Sequence, residues 1–376
     1  MRIVQLLPNL NLGGMERLAV DLARQQRAEG HESAIYCTGD AGTLAPEAQE
    51  AGVAVETFGK KDGFSPSLIF RLARKLRADR VDVLHAHNAL VLHYAVAAAR
   101  LAGVRAVVNT RHGGNLRWDP HCENIWRRTV PWTDAIVFIS EGVRDHFVTR
   151  NRLSRRNTHV IYNGLDLQKF LSRPAQPGRC RPRIRFGAVG RLVPAKAYTL
   201  LTQAFGGIST ELPDSELHIL GDGPCRTEIA QTAAALGLKD RVILHGASRD
   251  VAGFLSTLDI FVLSSIDEGL PISLMEAMAA GLPIVSTRLP GLMELAPERV
   301  VAAYCAPGQS EALAEAMLRA ARGTDLYTIG EVARQWSRRF GIAETWRRYE
   351  TLFEHVLRKK GFIRPGELLT EVNSGH

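Results

Sequence analysis

Short apolar runs alternate with longer stretches of helical periodicity along the whole chain. In the first half, the apolar runs predict strands at residues 3–7, 32–37, 53–58, 81–85, 106–110 and 135–139. Stretches such as 16–29 and 67–78 lie between these runs and predict helices. Strands that alternate with helices form a parallel sheet covered on both faces. Ligands of such sheets bind in the crevice beyond the carboxyl ends of the strands.

The second half repeats this pattern. Its predicted strands are residues 184–189, 216–220, 242–244, 260–263 and 284–286. Helices are predicted from about residue 199, and over 274–280, 311–322 and 343–359. In the last of these, Trp346, Tyr349 and Phe353 recur at helical spacing. That face is therefore expected to be core or a domain contact, not a cofactor site.

The pattern divides the chain into two α/β domains. We predict a first domain over residues 1–170, joined by a C-terminal helix at 341–360, and a second over 183–340. Residues 171–182 are rich in proline and arginine without apolar periodicity, which indicates a linker. The polar residues 361–376 predict a flexible tail.

Composition is consistent with this division. A chain of 376 residues with 45% hydrophobic content can form two separate cores. No apolar run approaches the ~20 residues that span a bilayer, and the N-terminal MRIVQLLP predicts a strand instead of a signal peptide. The five cysteines are scattered and contain no C-x-x-C pair. They indicate a reducing compartment and argue against a disulfide framework or a zinc site.

The net charge of +8 predicts an acidic partner, which leaves nucleic acid, an anionic membrane surface and phosphate-bearing substrates as candidates. Basic and aromatic residues cluster in the first half. They are Arg71, Arg74, Lys75, Arg77, Arg80, Arg117, Trp118, Trp126, Arg127, Arg128 and Trp132. Arginines beside tryptophans suit contact with anionic lipid. A merely solvated charged face is the alternative.

The most informative stretch is EGLPISLMEAMAAGLPIV, which begins at Glu268. It lies between a buried strand and a helix, and a helix N-terminus presents N–H groups and a positive dipole to an anion such as a diphosphate. Glu276 could accept hydrogen bonds from ribose hydroxyls. Alternatively, Glu276 is an acid favoured by the helix dipole, and Glu268 is a solvated loop charge.

Other loops after predicted strands contain candidate ligands. Gly13 and Gly14 could approach a phosphate closely, or form only a tight turn. The H-x-H formed by His85 and His87 is a possible metal pair without a third ligand nearby, and a structural role is equally compatible. Later in the chain, Arg191 and Lys196 could neutralise a pyrophosphate without a metal, or be surface charges.

The stretch from Glu268 resembles the signature of family 4 glycosyltransferases, and further landmarks agree with it. The resemblance implies the GT-B fold, in which two Rossmann-like, doubly wound domains face each other across a cleft. It also implies a retaining, metal-independent glycosyltransferase of the hexosyltransferase type that needs no cofactor. The donor is then a nucleotide-diphospho-sugar, with UDP preferred to GDP.

The resemblance assigns roles to individual residues. In the first domain, Gly13 and Gly14 lie in a G-G-x-E motif that is assigned to donor binding, with Gly14 near the diphosphate or the acceptor. His112 contacts the sugar or orients the leaving phosphate; a locally bonded loop histidine is the alternative. Arg191 and Lys196 grip the diphosphate in G-R-L-x-x-x-K, although Ala197 stands where the family has glycine. The remaining donor-binding residues are Gly221, Gly223, His245, Gly269, Leu270, Pro271, Ile272 and Glu276. Of these, Gly221 and Gly223 lie in a G-D-G-P-x-R turn that is expected to be mostly architectural, with its backbone near the nucleotide.

The catalytic residues that the resemblance implies are Glu268, His112, Arg191 and Lys196. Retention suggests a carboxylate nucleophile, and Glu268 could be one. In the family, however, this glutamate is thought to hold sugar hydroxyls, and the departing phosphate takes the acceptor proton on the same face. We follow that reading.

The expected partners are a nucleotide sugar and a glycan or lipid-linked acceptor of a cell-surface polysaccharide pathway. We expect no metal and no nucleic acid. The predicted location is cytoplasmic, with peripheral contact to the inner face of the membrane as a further hypothesis. Two other classes stay open, namely a sugar-nucleotide epimerase of related fold and a non-catalytic protein that binds nucleotides or nucleic acid. Release of nucleoside diphosphate only with an acceptor would exclude the epimerase, and salt-dependent DNA or RNA binding would favour the binding protein.

Overall fold

A computed structural model of the protein describes residues 1–11, 13–112, 120–151, 153–172, 174–175, 183–323 and 325–362. These residues form two compact units. Unit 1 consists of Met1–Gly164 together with the segment that begins at Ile342, and unit 2 consists of Leu165–Gly341. Both units are Rossmann-like α/β domains built on parallel sheets, as the alternating pattern predicts.

Unit 1 contains a seven-stranded sheet in which every strand pair is parallel. Its strands are β1 (Arg2–Leu7), β2 (Glu32–Cys37), β3 (Ala54–Thr57), β4 (Val83–His87), β5 (Ala106–Arg111), β6 (Ala135–Phe138) and β7 (Thr158–Val160). Their order in the sheet is β3-β2-β1-β4-β5-β6-β7. The order reverses between β1 and β4, where Ile3 pairs with Val83 and Gln5 with His85.

The first helices cover the two faces of this sheet. They are α1 (Gly14–Ala28), α2 (Ala45–Glu50), α3 (Pro66–Ala78), α4 (Leu92–Ala102), α5 (Pro120–Thr129) and α6 (Glu141–Asn151). In α3, for example, Leu68, Leu72 and Leu76 are buried at spacings of four residues. This single apolar stripe explains why a helix forms there and which face packs on the sheet.

Unit 2 contains a six-stranded parallel sheet. Its strands are β8 (Arg185–Val189), β9 (Glu216–Leu220), β10 (Val242–Gly246), β11 (Ile260–Leu263), β12 (Ile284–Thr287) and β13 (Ala303–Cys305). The order β10-β9-β8-β11-β12-β13 repeats that of unit 1, so the reversal lies between β8 and β11. Because β11 is buried along its whole length, its sequence is a continuous apolar run.

The helices of unit 2 are α7 (Gln168–Leu171), α8 (Tyr198–Ile208), α9 (Arg226–Ala235), α10 (Val251–Leu255), α11 (Ile272–Ala279), α12 (Pro290–Leu295), α13 (Ser310–Ala321) and α14 (Leu326–Ser337). Among the helices of the described residues, none has the length and apolar content needed to cross a bilayer.

The last helix, α15 (Ile342–Lys359), belongs to unit 1 although it follows unit 2 in the chain. Trp346, Tyr349 and Phe353 are at most 1% exposed and join a core cluster with Ile3 and Leu18. A fully buried large apolar side chain contributes about 1.5–3 kcal/mol to folding. The apolar face of α15 is therefore part of the core of unit 1, which agrees with the first of the two roles expected for it.

Some boundaries differ from the sequence-based predictions. The pattern ends the fourth strand at residue 85, but β4 continues to His87 because both of its histidines are buried and hydrogen-bonded. The predicted first domain ends at residue 170, whereas residues 165–170 belong to unit 2, where the N–H of Leu165 donates to the carbonyl of Phe340 (3.0 Å). Most of the predicted linker (173 and 176–182) and most of the predicted tail (363–376) lie outside the described residues.

Candidate functional site

Lys196 and Glu268 form an ion pair at the carboxyl edge of the sheet of unit 2. Lys196 follows β8 and Glu268 follows β11, the two strands between which the strand order reverses. Ligands of doubly wound sheets bind at this point. Lys196 Nζ donates to Glu268 Oε2, and the two side chains are only 17% and 15% exposed. Both charges are partly shielded from water, so they act more strongly on a ligand than fully solvated charges would.

Hydroxyl groups from the end of β11 hold this ion pair in place. Ser264 Oγ donates to the carbonyl of Lys196 (2.7 Å), which fixes the backbone that carries the lysine. Ser265 Oγ donates to Glu268 Oε2 (3.2 Å). One carboxylate oxygen therefore accepts both from the lysine and from the serine, and the geometry of the pair is set by both loops.

The turn before α8 differs from the pattern of the family at one residue. Ala197 has a left-handed φ of 51°, a conformation that costs an L residue roughly 1–2 kcal/mol and suits the glycine found there in the family. Tyr198 follows, and its buried hydroxyl has no hydrogen-bond partner among the described residues. Burial first, and the charge of Glu268 second, raise the pKa of this phenol. A Cβ on Gly190 would approach the hydroxyl to 2.8 Å.

Gly221 and Gly223 let the loop after β9 pack against the loop after β8. Both have positive φ, at 146° and 157°. A Cβ on Gly221 would overlap the carbonyl oxygen of Gly190, and one on Gly223 would lie 2.6 Å from the carbonyl oxygen of Leu192. The N–H of Leu192 in turn donates to the carbonyl of Asp222 (2.9 Å). These predicted donor-binding glycines therefore have a clear architectural role in supporting the loop after β8.

Arg191 lies directly after β8, at the same edge of the sheet as Lys196. Its side chain is exposed, and the described residues provide it with no ion-pair partner. A guanidinium in this position can form bidentate hydrogen bonds with phosphate oxygens. The structure therefore brings together one exposed cation and one paired cation at the end of β8, as the spacing of the motif predicts.

The connection between Glu268 and α11 contains three of the predicted donor-binding residues, and a fourth begins the helix. They are Gly269, Leu270 and Pro271 in the connection and Ile272 in the helix. The helix begins at Ile272, two residues earlier than the pattern predicts, so its first N–H groups lie closer to Glu268. Glu276 lies in the second turn of α11 and is partly buried.

His245 extends from β10 and contacts a histidine of the neighbouring strand. His245 Nε2 and His218 Nδ1 are 2.9 Å apart, and His218 Nε2 is 3.1 Å from Glu216 Oε2. His245 itself is exposed. Burial lowers the pKa of His218, partly offset by the hydrogen bond to Glu216, and burial also lowers the pKa of His245.

The glycine loop of unit 1 ends where α1 begins. Gly13 is the N-cap residue with extended backbone (φ −169°), Gly14 is the first residue of the helix, and the carbonyl of Gly13 accepts from the N–H of Arg17 (3.0 Å). The first N–H groups of α1 thus point away from the helix, at the carboxyl edge of β1.

Three histidines of unit 1 form a cluster at the ends of β4 and β5. His87 Nδ1 lies 2.8 Å from His112 Nε2, and the rings of His85 and His87 are 4.2 Å apart. His85 Nε2 lies 2.7 Å from Thr110 Oγ1. Burial lowers the pKa of His85 and of His112 to about 3 and lowers that of His87 well below its usual value. All three imidazoles are therefore neutral at physiological pH.

The H-x-H pair has a structural explanation in this cluster. His85 and His87 each have their Nε2 hydrogen-bonded to a protein side chain. Within the described ranges, no group of three or more His, Cys, Asp or Glu side chains is arranged to hold a metal ion.

The basic and aromatic cluster of the first half is not one surface. Trp126 is fully buried, and its Nε1 donates to Asn109 Oδ1 (2.9 Å), so the expectation that it faces lipid is wrong. Trp132 is 57% exposed and stacks with Arg100 at 4.2 Å. Arg117 and Trp118 lie outside the described residues.

Sequence reasoning did not identify Tyr198 or Ser264 beside the ion pair of unit 2. It also did not identify Gln5, whose Oε1 lies 2.8 Å from His87 Nε2 in the histidine cluster of unit 1. A signal existed for Gln5, because it is the one polar residue inside the apolar run Ile3–Leu7 of β1 and is fully buried. A polar side chain in a strand buried on both faces must have a partner.

Two protein-family models match the chain. The model described as Glycosyltransferase Family 4 matches residues 12–169, and the one described as Glycosyl transferases group 1 matches residues 183–322. The first match lies within unit 1 apart from its last residues, and the second lies within unit 2.

Curated relatives are similar along most of the chain. The N-acetyl-alpha-D-glucosaminyl L-malate synthase of Bacillus anthracis is 25% identical over 367 residues, which covers 93% of this chain and 95% of that protein. A GDP-mannose-dependent alpha-(1-6)-phosphatidylinositol monomannoside mannosyltransferase of Mycobacterium tuberculosis is 26% identical over 308 residues, covering 76% of this chain and 77% of that protein.

Among solved structures, Anabaena HepE in complex with UDP and glucose has a TM-score of 0.83 to this chain. The two are 20% identical, and the match covers 94% of this chain and 99% of that one. At this level of identity, the likeness concerns the fold.

Proposed function

Because this chain belongs to glycosyltransferase family 4 and is an enzyme with the GT-B fold, we propose that it retains anomeric configuration while transferring a sugar from a nucleotide-diphospho-sugar to a hydroxyl acceptor. The proposed donor carries UDP in preference to GDP. The proposed acceptor is a lipid-linked or cell-surface glycan precursor. The similar proteins support a sugar-nucleotide donor and differ in its base, since the mannosyltransferase of Mycobacterium tuberculosis is GDP-mannose-dependent and the HepE structure holds UDP.

The ion pair of Lys196 with Glu268 at the reversal of the strand order carries this proposal. Phosphate oxygens accept strong hydrogen bonds from cationic donors, so a diphosphate would compete with Glu268 for Lys196 Nζ. Arg191 supplies a second cation, and the N-terminus of α11 supplies N–H groups. In this proposal these groups stabilise the leaving diphosphate without a metal ion.

Glu268 is proposed to bind hydroxyl groups of the transferred sugar instead of attacking it. Its Oε2 already accepts from Lys196 and Ser265, which holds the carboxylate in one orientation. In the proposed step, the bond from the anomeric carbon to the phosphate oxygen breaks, and the acceptor oxygen bonds to that carbon on the same face. The proton of the acceptor hydroxyl goes to the departing phosphate.

His112, Gly13 and Gly14 are proposed to contact the donor from unit 1. His112 is neutral, and its Nδ1 is buried without a hydrogen-bond partner among the described residues, which leaves its bonding capacity for the proposed sugar hydroxyl. The backbone at Gly13 and Gly14 opens α1 and offers N–H groups. His245, at the end of β10, is proposed to lie near the base.

Peripheral contact with an anionic membrane is part of the proposal for the acceptor. On α3, the exposed face carries Arg71, Arg74 and Arg77, and Phe70 is 67% exposed beside them. Basic residues beside an exposed aromatic ring suit the interface of an anionic bilayer. The Mycobacterium tuberculosis relative, by its name, acts on a phosphatidylinositol derivative.

The test is a thermal-shift screen against UDP, GDP, ADP and their sugars, with and without EDTA. A ligand that binds only the folded protein stabilises it by about 2.7 kcal/mol at one hundred times its Kd. We expect UDP to raise the melting temperature and EDTA to leave that shift unchanged. An assay for released nucleoside diphosphate should then show release that depends on an acceptor.

Other outcomes assign the protein differently. A shift with GDP alone would replace the proposed base and keep the reaction. A shift that EDTA abolishes would contradict the metal-free site. Turnover of the nucleotide sugar without an acceptor would favour an epimerase, and no shift with any nucleotide would overturn the proposal.

A further inference from the structure

Four side chains of unit 1 form a continuous hydrogen-bonded line, which we call the buried relay: Gln26, Gln5, His87 and His112. Gln5 Nε2 donates to Gln26 Oε1 (3.1 Å), and Gln5 Oε1 lies 2.8 Å from His87 Nε2. His87 Nδ1 lies 2.8 Å from His112 Nε2. Gln26, Gln5 and His87 are fully buried and come from α1, β1 and β4. The line therefore runs from β1 to β4, the two neighbouring strands between which the strand order reverses.

The direction of the hydrogen bonds along the buried relay follows from its amide end. A carbonyl oxygen only accepts, so His87 Nε2 must carry a hydrogen to bond with Gln5 Oε1. A neutral imidazole has one hydrogen, which leaves His87 Nδ1 as an acceptor. His112 Nε2 must then donate, and His112 Nδ1 is left with a lone pair.

We infer that Gln5 and His87 are positioning residues that set the tautomer of His112, so that its Nδ1 is always a hydrogen-bond acceptor. This inference rests on the proposed function for what His112 contacts, namely a hydroxyl group of the transferred sugar. The sugar hydroxyl then donates to Nδ1 and keeps its own lone pairs for other donors. A histidine free to exchange tautomers would present an N–H to that hydroxyl part of the time.

The surroundings of the buried relay keep it neutral, and a neutral state is required for one fixed tautomer. His85 packs against His87, and its Nε2 bonds with Thr110 Oγ1, which lies 2.9 Å from the hydroxyl of Tyr349. These facing groups are uncharged, and a proton on His85 would oppose one on His87. The backbone N–H of His112 donates to Asn88 Oδ1 (2.8 Å), which fixes the position of the ring.

The direct test is nitrogen NMR of the full-length protein labelled with ¹⁵N-histidine. The chain contains 12 histidines, and the signals of His112 are assigned by their loss in His112→Gln. We expect Nε2 of His112 to have the shift of a protonated ring nitrogen, and Nδ1 that of an unprotonated one, from pH 8 to pH 5. This readout needs no substrate, so it is independent of the proposed function.

Two substitutions of Gln5 should change the tautomer in a defined way. Gln5→Glu places a carboxylate against His87 and favours its doubly protonated form. His87 Nδ1 then donates, so His112 must accept at Nε2 and carry its hydrogen on Nδ1. Gln5→Met has a similar volume and leaves His87 without an acceptor, which should give a mixture of both tautomers. His218→Gln, in the histidine pair of unit 2, is the matched control and should leave the signals of His112 unchanged.

Kinetic measurements distinguish a positioning role of Gln5 from a purely structural role. For both Gln5 variants we expect kcat to fall about threefold to tenfold, the worth of one hydrogen bond, with the Kd for UDP within about twofold of the parent. The nucleoside diphosphate lacks the sugar, so its affinity reports folding of the donor site. Reversed or averaged tautomers of His112 in the parent protein, or unchanged signals in Gln5→Glu, would overturn the inference. If the parent protein shows the expected NMR signals but transfers no sugar, the tautomer assignment is confirmed and the proposed function is wrong.

Discussion

Unit 1 and unit 2 place candidate functional side chains at the same point of the same topology, yet with different chemistry. Where the strand order reverses in unit 1, the buried relay consists of neutral imidazoles and amides. At the corresponding point of unit 2, Lys196 and Glu268 form an ion pair that is partly exposed. One strand order thus supports both a neutral and a charged site.

The pairs of histidines sharpen this contrast. Each unit has two histidines that hydrogen-bond between adjacent strands, His87 with His112 and His218 with His245. The pair in unit 1 is hydrogen-bonded at its far end to an amide, whereas the pair in unit 2 is bonded to Glu216. A buried pair cannot keep a charge without a large desolvation cost, but a pair near the surface tolerates a carboxylate. Burial therefore decides which partner each pair has.

The largest effect is expected from a substitution that removes one charge of the ion pair in unit 2. Glu268→Gln keeps the shape of the side chain and removes its charge, so we expect kcat to fall about a thousandfold, or about 4 kcal/mol. The Kd for UDP should stay within about threefold, because Lys196 keeps its own charge for the diphosphate. Transfer kinetics and calorimetric titration with UDP measure the two quantities.

Glu276→Ala is the companion of that variant. We expect it to raise the Kd for UDP about tenfold, or about 1.4 kcal/mol, because Glu276 is proposed to bind the ribose. An equal loss of affinity in Glu268→Gln and Glu276→Ala would contradict the separate roles of the two carboxylates. Lys239→Met, on an exposed residue of unit 2, is a charge-removal control and should change neither quantity.

A second prediction compares the loops of the two units. Gly221→Ala should lower the free energy of unfolding by about 3 kcal/mol, since its φ is positive and its Cβ would overlap a backbone oxygen. Gly39 occupies the corresponding loop of unit 1, and its Cβ would lie 3.1 Å from the carbonyl oxygen of Pro8. Gly39→Ala should therefore cost only about 1 kcal/mol.

Denaturant unfolding of both glycine variants provides the measurement. Gly207→Ala is the control, because this exposed position inside α8 has room for a methyl group and should gain up to about 1 kcal/mol in helix propensity. Equal losses for Gly39→Ala and Gly221→Ala would show that the close approach of the loops is not special to unit 2.

The third prediction concerns acid stability, which depends on the neutral site. The folded protein keeps His85, His87 and His112 unprotonated down to well below pH 6, whereas the unfolded chain protonates them near pH 6.5. The unfolded state thus binds more protons as the pH falls, and stability decreases. These three histidines should together remove about 2.5 kcal/mol between pH 8 and pH 6.

Variants identify the contribution of single histidines to this loss. His85→Gln should reduce the loss between pH 8 and pH 6 by about 0.8 kcal/mol. Denaturant unfolding at both pH values is the measurement. An unchanged pH dependence in His85→Gln would mean that His85 takes up a proton in the folded state.

The smallest effect is expected from a substitution that relieves backbone strain in the turn before α8. Ala197→Gly should raise the free energy of unfolding by about 0.5–1 kcal/mol, because glycine adopts a left-handed φ without the clash of a Cβ. The Kd for UDP should stay within about twofold. Thermal unfolding measures the gain, and a loss of stability would show that the entropy of the unfolded chain outweighs the strain.

Much of the fold could be predicted because the buried strands are apolar along their length. The predicted strands 32–37, 216–220 and 260–263 coincide with β2, β9 and β11. The predicted fourth strand ended at residue 85, two residues before the end of β4, because a histidine is ordinarily polar. Only the hydrogen-bond partners of His85 and His87 make them core residues. The early start of α11 at Ile272 did have a signal in the sequence, since proline is favoured where a helix begins and Pro271 directly precedes Ile272.

The charged site was easier to predict than the neutral one. Lys196 and Glu268 are 72 positions apart, yet each belongs to a distinctive local motif. The buried relay has no such motif, since Gln5 is 82 positions from His87 and appears as a single polar residue in an apolar strand. Its hydrogen bonds exist only because β1 and β4 are neighbours in the sheet.

The position of α15 has a consequence for synthesis on the ribosome. Unit 2 is one uninterrupted segment and has all its residues once Gly341 has left the ribosome, whereas the core of unit 1 lacks Trp346 and Phe353 until later. At translation rates of 5–20 residues per second, the first segment of unit 1 waits for about 10 to 35 seconds after Gly164 before α15 is made. During that time, the apolar face around Ile3 and Leu18 is uncovered. The part of the protein made first is therefore the part completed last.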